Sequence, residues 1–161
     1  MSFAPSRFRT AAASTLTAVA LLALTVPALA GGDWNEAGIA WKTYEQGLSE
    51  AKSSNKPVCL IFYTDWCPHC VNYSKLFHDP ALVELSKKFV MIHINKDSEP
   101  ATSAKYAPDG EYIPRTYFLK PDGTLLAEVT ERRDNFKYFY SESDPAGVLR
   151  SMNAVLAMKF Q

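Results

Sequence analysis

Neither sign of charge is in excess: among 161 residues, 17 Lys and Arg stand against 17 Asp and Glu. No basic stripe offers a nucleic-acid footprint and no acidic block forms a solvating tail, so both partner classes are set aside. Glycine is scarce at seven residues and proline at ten, which excludes collagen-like and low-complexity chains. Three cysteines are too few to staple a small disulfide-built fold, and their odd number leaves one without an intramolecular partner. What is present is 47% hydrophobic residues in a length suited to one domain with a real core. The question becomes what the few cysteines do.

Residues 1–30 read as a segment apart. Arg7 and Arg9 are the only charges before Asp33, and they precede an uncharged run from Ala11 to Ala30 that is densest at Ala18–Leu24. Pro27 breaks the run, and Ala28-Leu29-Ala30 puts small residues at the −3 and −1 positions of a cut before Gly31. This order is that of a secretory signal peptide. Twenty uncharged residues could also just span a bilayer as an uncleaved anchor, but Thr, Ser and Pro dilute the run and the cleavage site is good. No cysteine stands at the cut to carry a lipid anchor. Removal would leave residues 31–161 as the mature domain, 131 residues with 15 positive and 17 negative charges.

That remainder opens on a polar entry, Asp33–Trp41, with two tryptophans, and then alternates between β and α patterns without a linker or repeat. Tyr44, Leu48 and Ala51 recur at helical spacing within Lys42–Ser54, and Asn55-Lys56-Pro57 ends the pattern. Val58–Tyr63 is a continuous apolar run, as in a strand covered on both faces. A helix is expected over Cys70–Phe89, broken near Asp79-Pro80, with Val71, Leu76, Phe77, Leu82, Leu85 and Phe89 inward. Val90–Ile94 reads as a second strand, followed by a short helix near Ala101–Tyr106 and a turn at Pro108-Asp109-Gly110. Thr116–Leu119 and Leu125–Val129 flank Lys120-Pro121-Asp122-Gly123, a hairpin signal. Asp144-Pro145 opens a last helix with Val148, Leu149, Met152, Val155 and Leu156 on one stripe.

The chemistry concentrates at one junction. Asp65-Trp66-Cys67-Pro68-His69-Cys70 sets two cysteines three apart where a buried strand meets a helix. A sulfur at the helix start lies beside unsatisfied backbone N–H groups, which favour thiolate, the form that attacks a disulfide. Cys67 is therefore the expected attacking sulfur. Cys70, one turn inward and expected to be more buried, is placed to resolve the mixed disulfide. Pro68 fits the first helical turn, where its missing N–H costs little. His69 is expected to give a hydrogen bond or positive charge to the Cys67 thiolate, which would stabilise the dithiol and make the disulfide more oxidising. A structural zinc site would need Cys59, His78 or His93, whose spacings match no common zinc pattern. Haem attachment fails because Val71 follows Cys70 where a histidine is required.

Lys56-Pro57-Val58 leading through Phe62 to Trp66-Cys67-Pro68-His69-Cys70 resembles the active-site strand and turn of the thioredoxin superfamily. Ile113-Pro114, beyond it, looks like that family's cis-proline loop, whose preceding backbone pairs with an extended substrate segment. The resemblance implies an α/β, thioredoxin-like fold with a central mixed β-sheet flanked by helices. Two sub-resemblances diverge. The Cys-Pro-His-Cys tetrad is similar to that of periplasmic disulfide oxidases, but the 43 residues from Cys70 to Ile113 leave no room for their inserted helical domain. The scaffold instead looks like the compact group of anterior gradient proteins and small endoplasmic-reticulum thioredoxins, through Trp41–Pro57, Gly110–Arg115 and Tyr138-Phe139-Tyr140. One departure stands out. Many thioredoxins carry a buried Asp six residues before the first active-site cysteine, to help proton transfer at the inner one, and that position here is Ile61. Lys75 or water would be poor substitutes, and Glu84 and Asp65 are the carboxylate candidates.

The remaining residues have plainer roles. Cys59 reads as a small core hydrophobe, and His78 and His93 as a surface and a strand histidine. Trp66 is expected beside the site, shaping the docking surface, with a purely core role as the alternative. The run Phe136, Tyr138, Phe139, Tyr140 is expected to divide between core and surface, with a partner patch as the alternative. The resulting expectation is a periplasmic or otherwise secreted, monomeric thiol–disulfide oxidoreductase without cofactor or metal. It would act on protein thiols or disulfides and be recycled by an unidentified redox partner. Oxidation is the expected direction. A reductase kept reduced by a membrane partner and a non-catalytic chaperone or binding module are the competing readings.

Overall fold

The computed structural model describes Met1 and residues 31–160. The signal-peptide segment expected over residues 1–30 therefore lies outside the described residues, apart from Met1.

Among the described residues, four strands form one mixed sheet. They are β1 (Trp41–Lys42), β2 (Val58–Tyr63), β3 (Val90–Asn95) and β4 (Arg115–Leu119), in the spatial order β1-β3-β2-β4. β1 and β2 run parallel to β3, whereas β4 pairs antiparallel with β2, with Arg115 opposite Phe62 and Leu119 opposite Val58. Five helices among the described residues flank the sheet: α1 (Tyr44–Ser54), α2 (Pro68–Ser74), α3 (Pro80–Ser86), α4 (Pro100–Lys105) and α5 (Ala146–Ala157). The α/β, thioredoxin-like arrangement is the one expected.

Both faces of β2 are covered, which is why its sequence is apolar throughout rather than alternating. On one face Cys59 and Ile61 join Met91, Phe118, Tyr73, Phe77 and Leu82, with Val148, Met152 and Val155 of α5. On the other, Val58, Leu60 and Phe62 pack with Val90, Ile92, Tyr117, Tyr106 and Ala51. α1 settles closely on β3 through Gly47, where an added Cβ would fall 2.3 Å from Ile92 Cδ1. The helix expected after the cysteines is broken as the Asp-Pro pair predicts. α2 tightens into a 3₁₀ turn over Lys75–His78, and α3 restarts with Asp79 capping the backbone N–H groups of Ala81 and Leu82. Asp144 likewise accepts from the Ala146 N–H at the start of α5.

Two expectations need correction. The lead-in before α1 is not merely polar. Trp34 is buried among Trp41, Tyr63, Tyr73, Phe77 and His93, and Trp41 adds the edge strand β1. The hairpin also loses its second strand. The turn closes through Lys120 and Thr124, but pairing stops after the Leu119–Leu125 bridge and the Leu126 N–H to Phe118 carbonyl bond. Leu126 and Val129 both enter the same core cluster, which alternating strand geometry forbids for residues three apart. Further along β4, the Thr116 N–H is taken by the Tyr138 carbonyl instead.

Candidate active site

β2 ends at Tyr63, and Thr64–Cys67 turns the chain into α2. Cys67 is the N-cap: its backbone is extended, and its Sγ accepts the Cys70 backbone N–H at 3.3 Å. The sulfur thus meets one of the donors that a helix start leaves unpaired. Pro68 follows at the first helical position, as its fixed φ favours. Both cysteines are free thiols, Cys67 3% exposed at the mouth and Cys70 fully enclosed behind it. Enclosure pushes the Cys70 thiol well up, and its neighbour Cys67 and the Glu142 charge push it the same way. Cys70 therefore holds its proton firmly, and any attack by its sulfur requires a place for that proton.

The Ile113–Pro114 bond is cis, as the resemblance implied. Because Arg115 lies opposite Phe62, the preceding Pro114 and Ile113 extend past the end of β2, on the side from which Thr64–Cys67 emerge. The loop is pinned from beneath by Arg115, a fully buried side chain that sequence reading did not single out. Its guanidinium donates to the Gly110 carbonyl and to Ser103 Oγ, and Ser103 in turn donates to Glu111. Burial draws this guanidinium below its ordinary pKa, and it lies over the Phe62 ring at 4.9 Å.

Trp66 is exposed at 69% beside the cysteines, with its indole N–H donating to Asp97 at 2.8 Å. It lies on the surface, so the core alternative for it is excluded. His69 is also exposed, but the contact expected with Cys67 does not form. Its Nδ1–H instead meets both carboxylate oxygens of Glu142 at 3.1 Å, and its ring packs edge-on against Phe139. Glu142 lies 73 residues away in a Ser-Glu-Ser stretch, so no local motif announced it.

Beneath the cysteines Ile61 is fully buried, and none of the three candidate substitutes for an Asp is buried with it. Lys75 bonds Asn72, Glu84 pairs with Lys87, and Asp65 accepts from Asn95, all in exposed positions. The polar groups near this level are instead neutral. Register places Ile61 between Thr116 and His93. Thr116 Oγ1 bonds the Tyr73 hydroxyl at 2.7 Å, and His93 stacks between Trp41 and Tyr63, where burial lowers its pKa. Cys59 lies wholly within the core, and His78 pairs with Asp33 at 3.1 Å. Of the aromatic run, Tyr138 and Tyr140 are buried and Phe136 is exposed, the expected division. A cavity of about 500 Å³ near Lys120, Met158 and Phe160 lies at the opposite end of β2, away from the cysteines.

A mixed sheet covered by helices, with a Cys-x-x-Cys turn after a central strand and a cis-proline loop beside it, defines a dithiol domain of thioredoxin type. The family described as thioredoxin-like matches residues 40–121, and the chain belongs to it. Its relatives include the human anterior gradient protein 2 homolog, 33% identical over 126 residues that cover 78% of this chain and 70% of that one. Anterior gradient protein 3 of Xenopus tropicalis is 33% identical over 121 residues, covering 73% and 72%. Among solved structures, a thioredoxin from Thermus thermophilus shares the fold with a TM-score of 0.59 at 19% identity, covering 74% of this chain and 88% of that one.

Proposed function

We propose that the protein is an exported thiol–disulfide oxidoreductase that exchanges disulfides with protein substrates and acts mainly as an oxidant. One observation carries the reading: Cys67 presents its sulfur at the mouth of the site with a backbone N–H directed at it, while Cys70 waits one turn behind. The N–H that caps α2 through the Cys67 sulfur also stabilises that sulfur as a thiolate once its proton is lost.

In the oxidising direction a substrate thiolate attacks the Cys67 sulfur of the Cys67–Cys70 disulfide. Cys70 leaves as a thiolate and takes up a proton, which its enclosure strongly favours. A second substrate thiol loses its proton and attacks the mixed disulfide. The substrate disulfide forms and Cys67 leaves as a thiolate, held by the Cys70 N–H. Pro68 shapes the turn and His69 tunes the thiolate's stability. Trp66 and the backbone of Ile113 before Pro114 receive an extended substrate segment. The dithiol is then reoxidised by a separate redox partner. Residues 1–30 serve as the export signal, and the domain works as a monomer in the periplasm or another oxidising compartment.

Trapping tests the reading. Cys70→Ser should accumulate mixed disulfides with substrate proteins, visible on non-reducing gels and lost with dithiothreitol, whereas Cys67→Ser should yield none and should lose exchange outright. A Cys67→Ser protein that retains its biological role would instead establish a binding module.

A further inference from the structure

The segment before α5 alternates its side chains. Tyr138 and Tyr140 point into the two core layers, where their hydroxyls donate to the Ala127 carbonyl and to Ser151 Oγ. Ser141 Oγ then accepts the Ser143 and Asp144 N–H groups, fixing the turn that holds Glu142. Phe139 and Glu142 are left facing α2, and both meet the same ring: Phe139 at 6.0 Å between centroids, Glu142 with both oxygens at 3.1 Å from His69 Nδ1. The His69 ring is therefore held by a distant part of the chain that is itself anchored in the core, and its Nδ1–H is committed to a carboxylate.

An imidazolium beside a catalytic thiolate stabilises the dithiol and makes the disulfide more oxidising. A carboxylate on that imidazolium balances its charge and adds a negative charge of its own near the sulfurs. We propose that Glu142 is a positioning residue that acts through His69 to restrain the oxidising power of the Cys67–Cys70 pair. This rests on the exchange activity proposed above. No other charged side chain among the described residues makes an ion pair or hydrogen bond with His69. Arg133 lies over the far partner, the Phe139 ring, at 5.2 Å.

The test is the equilibrium of the Cys67–Cys70 pair with reduced and oxidised glutathione, measured for the wild type, E142Q, H69A and the double variant. E142Q should shift the constant about three- to tenfold toward the dithiol, tenfold being about 30 mV for two electrons. In the H69A background the same substitution should shift it by less than half as much on a logarithmic scale. Because the pair is partly exposed, raising salt should move the wild type toward E142Q while moving E142Q much less. An unchanged constant in E142Q, or an equal shift with and without His69, would overturn the proposal while leaving exchange intact. A wild type that never equilibrates with glutathione would overturn both.

Discussion

Above and below the Cys67–Cys70 turn the protein is built from opposite materials. The outer side carries Trp66, His69 and Glu142, exposed or half-exposed, with an ion pair between the last two. The inner side carries Ile61, Tyr73, Thr116 and His93, and its polar members are neutral groups held by a hydrogen bond or by stacking. Where many thioredoxins keep a buried carboxyl below the inner cysteine, this chain keeps the charged groups around its cysteines on the surface. A buried charge would act strongly on Cys70 but would cost stability, whereas an exposed pair acts weakly, is screened by salt and costs little.

Moving a charge to the inner side should break this contrast most severely. Ile61→Asp removes a buried apolar side chain and inserts a carboxyl among Cys59, Tyr73 and Phe118, so unfolding in urea should show a loss of roughly 3 kcal/mol or more near neutral pH. Burial raises the pKa of such a carboxyl in the folded state. The folded protein then binds more protons than the unfolded chain, and the deficit should deepen as pH rises above the ordinary aspartate range. A variant as stable as the wild type at neutral pH would show that the inner side tolerates charge.

A smaller effect should follow from unpairing the neutral inner bond. Thr116→Val leaves the buried Tyr73 hydroxyl without its partner and should cost about 1–3 kcal/mol, most of which the double change with Tyr73→Phe restores. If the double variant is no better than Thr116→Val alone, the bond is not what Thr116 provides.

The mildest test is titration of His93. Burial lowers its pKa, so as pH falls through the ordinary value of 6.5 the unfolded chain takes up a proton before the folded one does. Stability should be full above that pH and decline below it, and His93→Phe should flatten the decline in urea midpoints measured between pH 7.5 and 5.5. An unaltered slope in that variant would assign the acid sensitivity elsewhere.

How much of this was readable depended on whether the interaction was local. The continuous apolar run of β2, the Asp79-Pro80 break and the stripe of α5 are each set by neighbouring residues, and each appears in place. So does the cysteine turn, because an N-cap and its first helical turn span only four residues. Trp34 was misread because a tryptophan in a polar stretch carries no periodicity, and β1 because two residues are too few for a pattern. The second hairpin strand failed because Leu126 and Val129 are drawn to one core cluster by α5, a tertiary demand. Glu142 and the buried Arg115 were invisible for the same reason. Their partners, His69 for the one and Ser103 with Gly110 for the other, are joined to them only by the fold.

The central claim is that the Cys67–Cys70 pair donates disulfides, and its reduction potential against glutathione tests that most directly. The outer histidine and the N–H donor at Cys67 predict a value above about −200 mV, well on the oxidising side of thioredoxin at about −270 mV. A value at or below the thioredoxin figure would contradict the account and assign the pair to reduction.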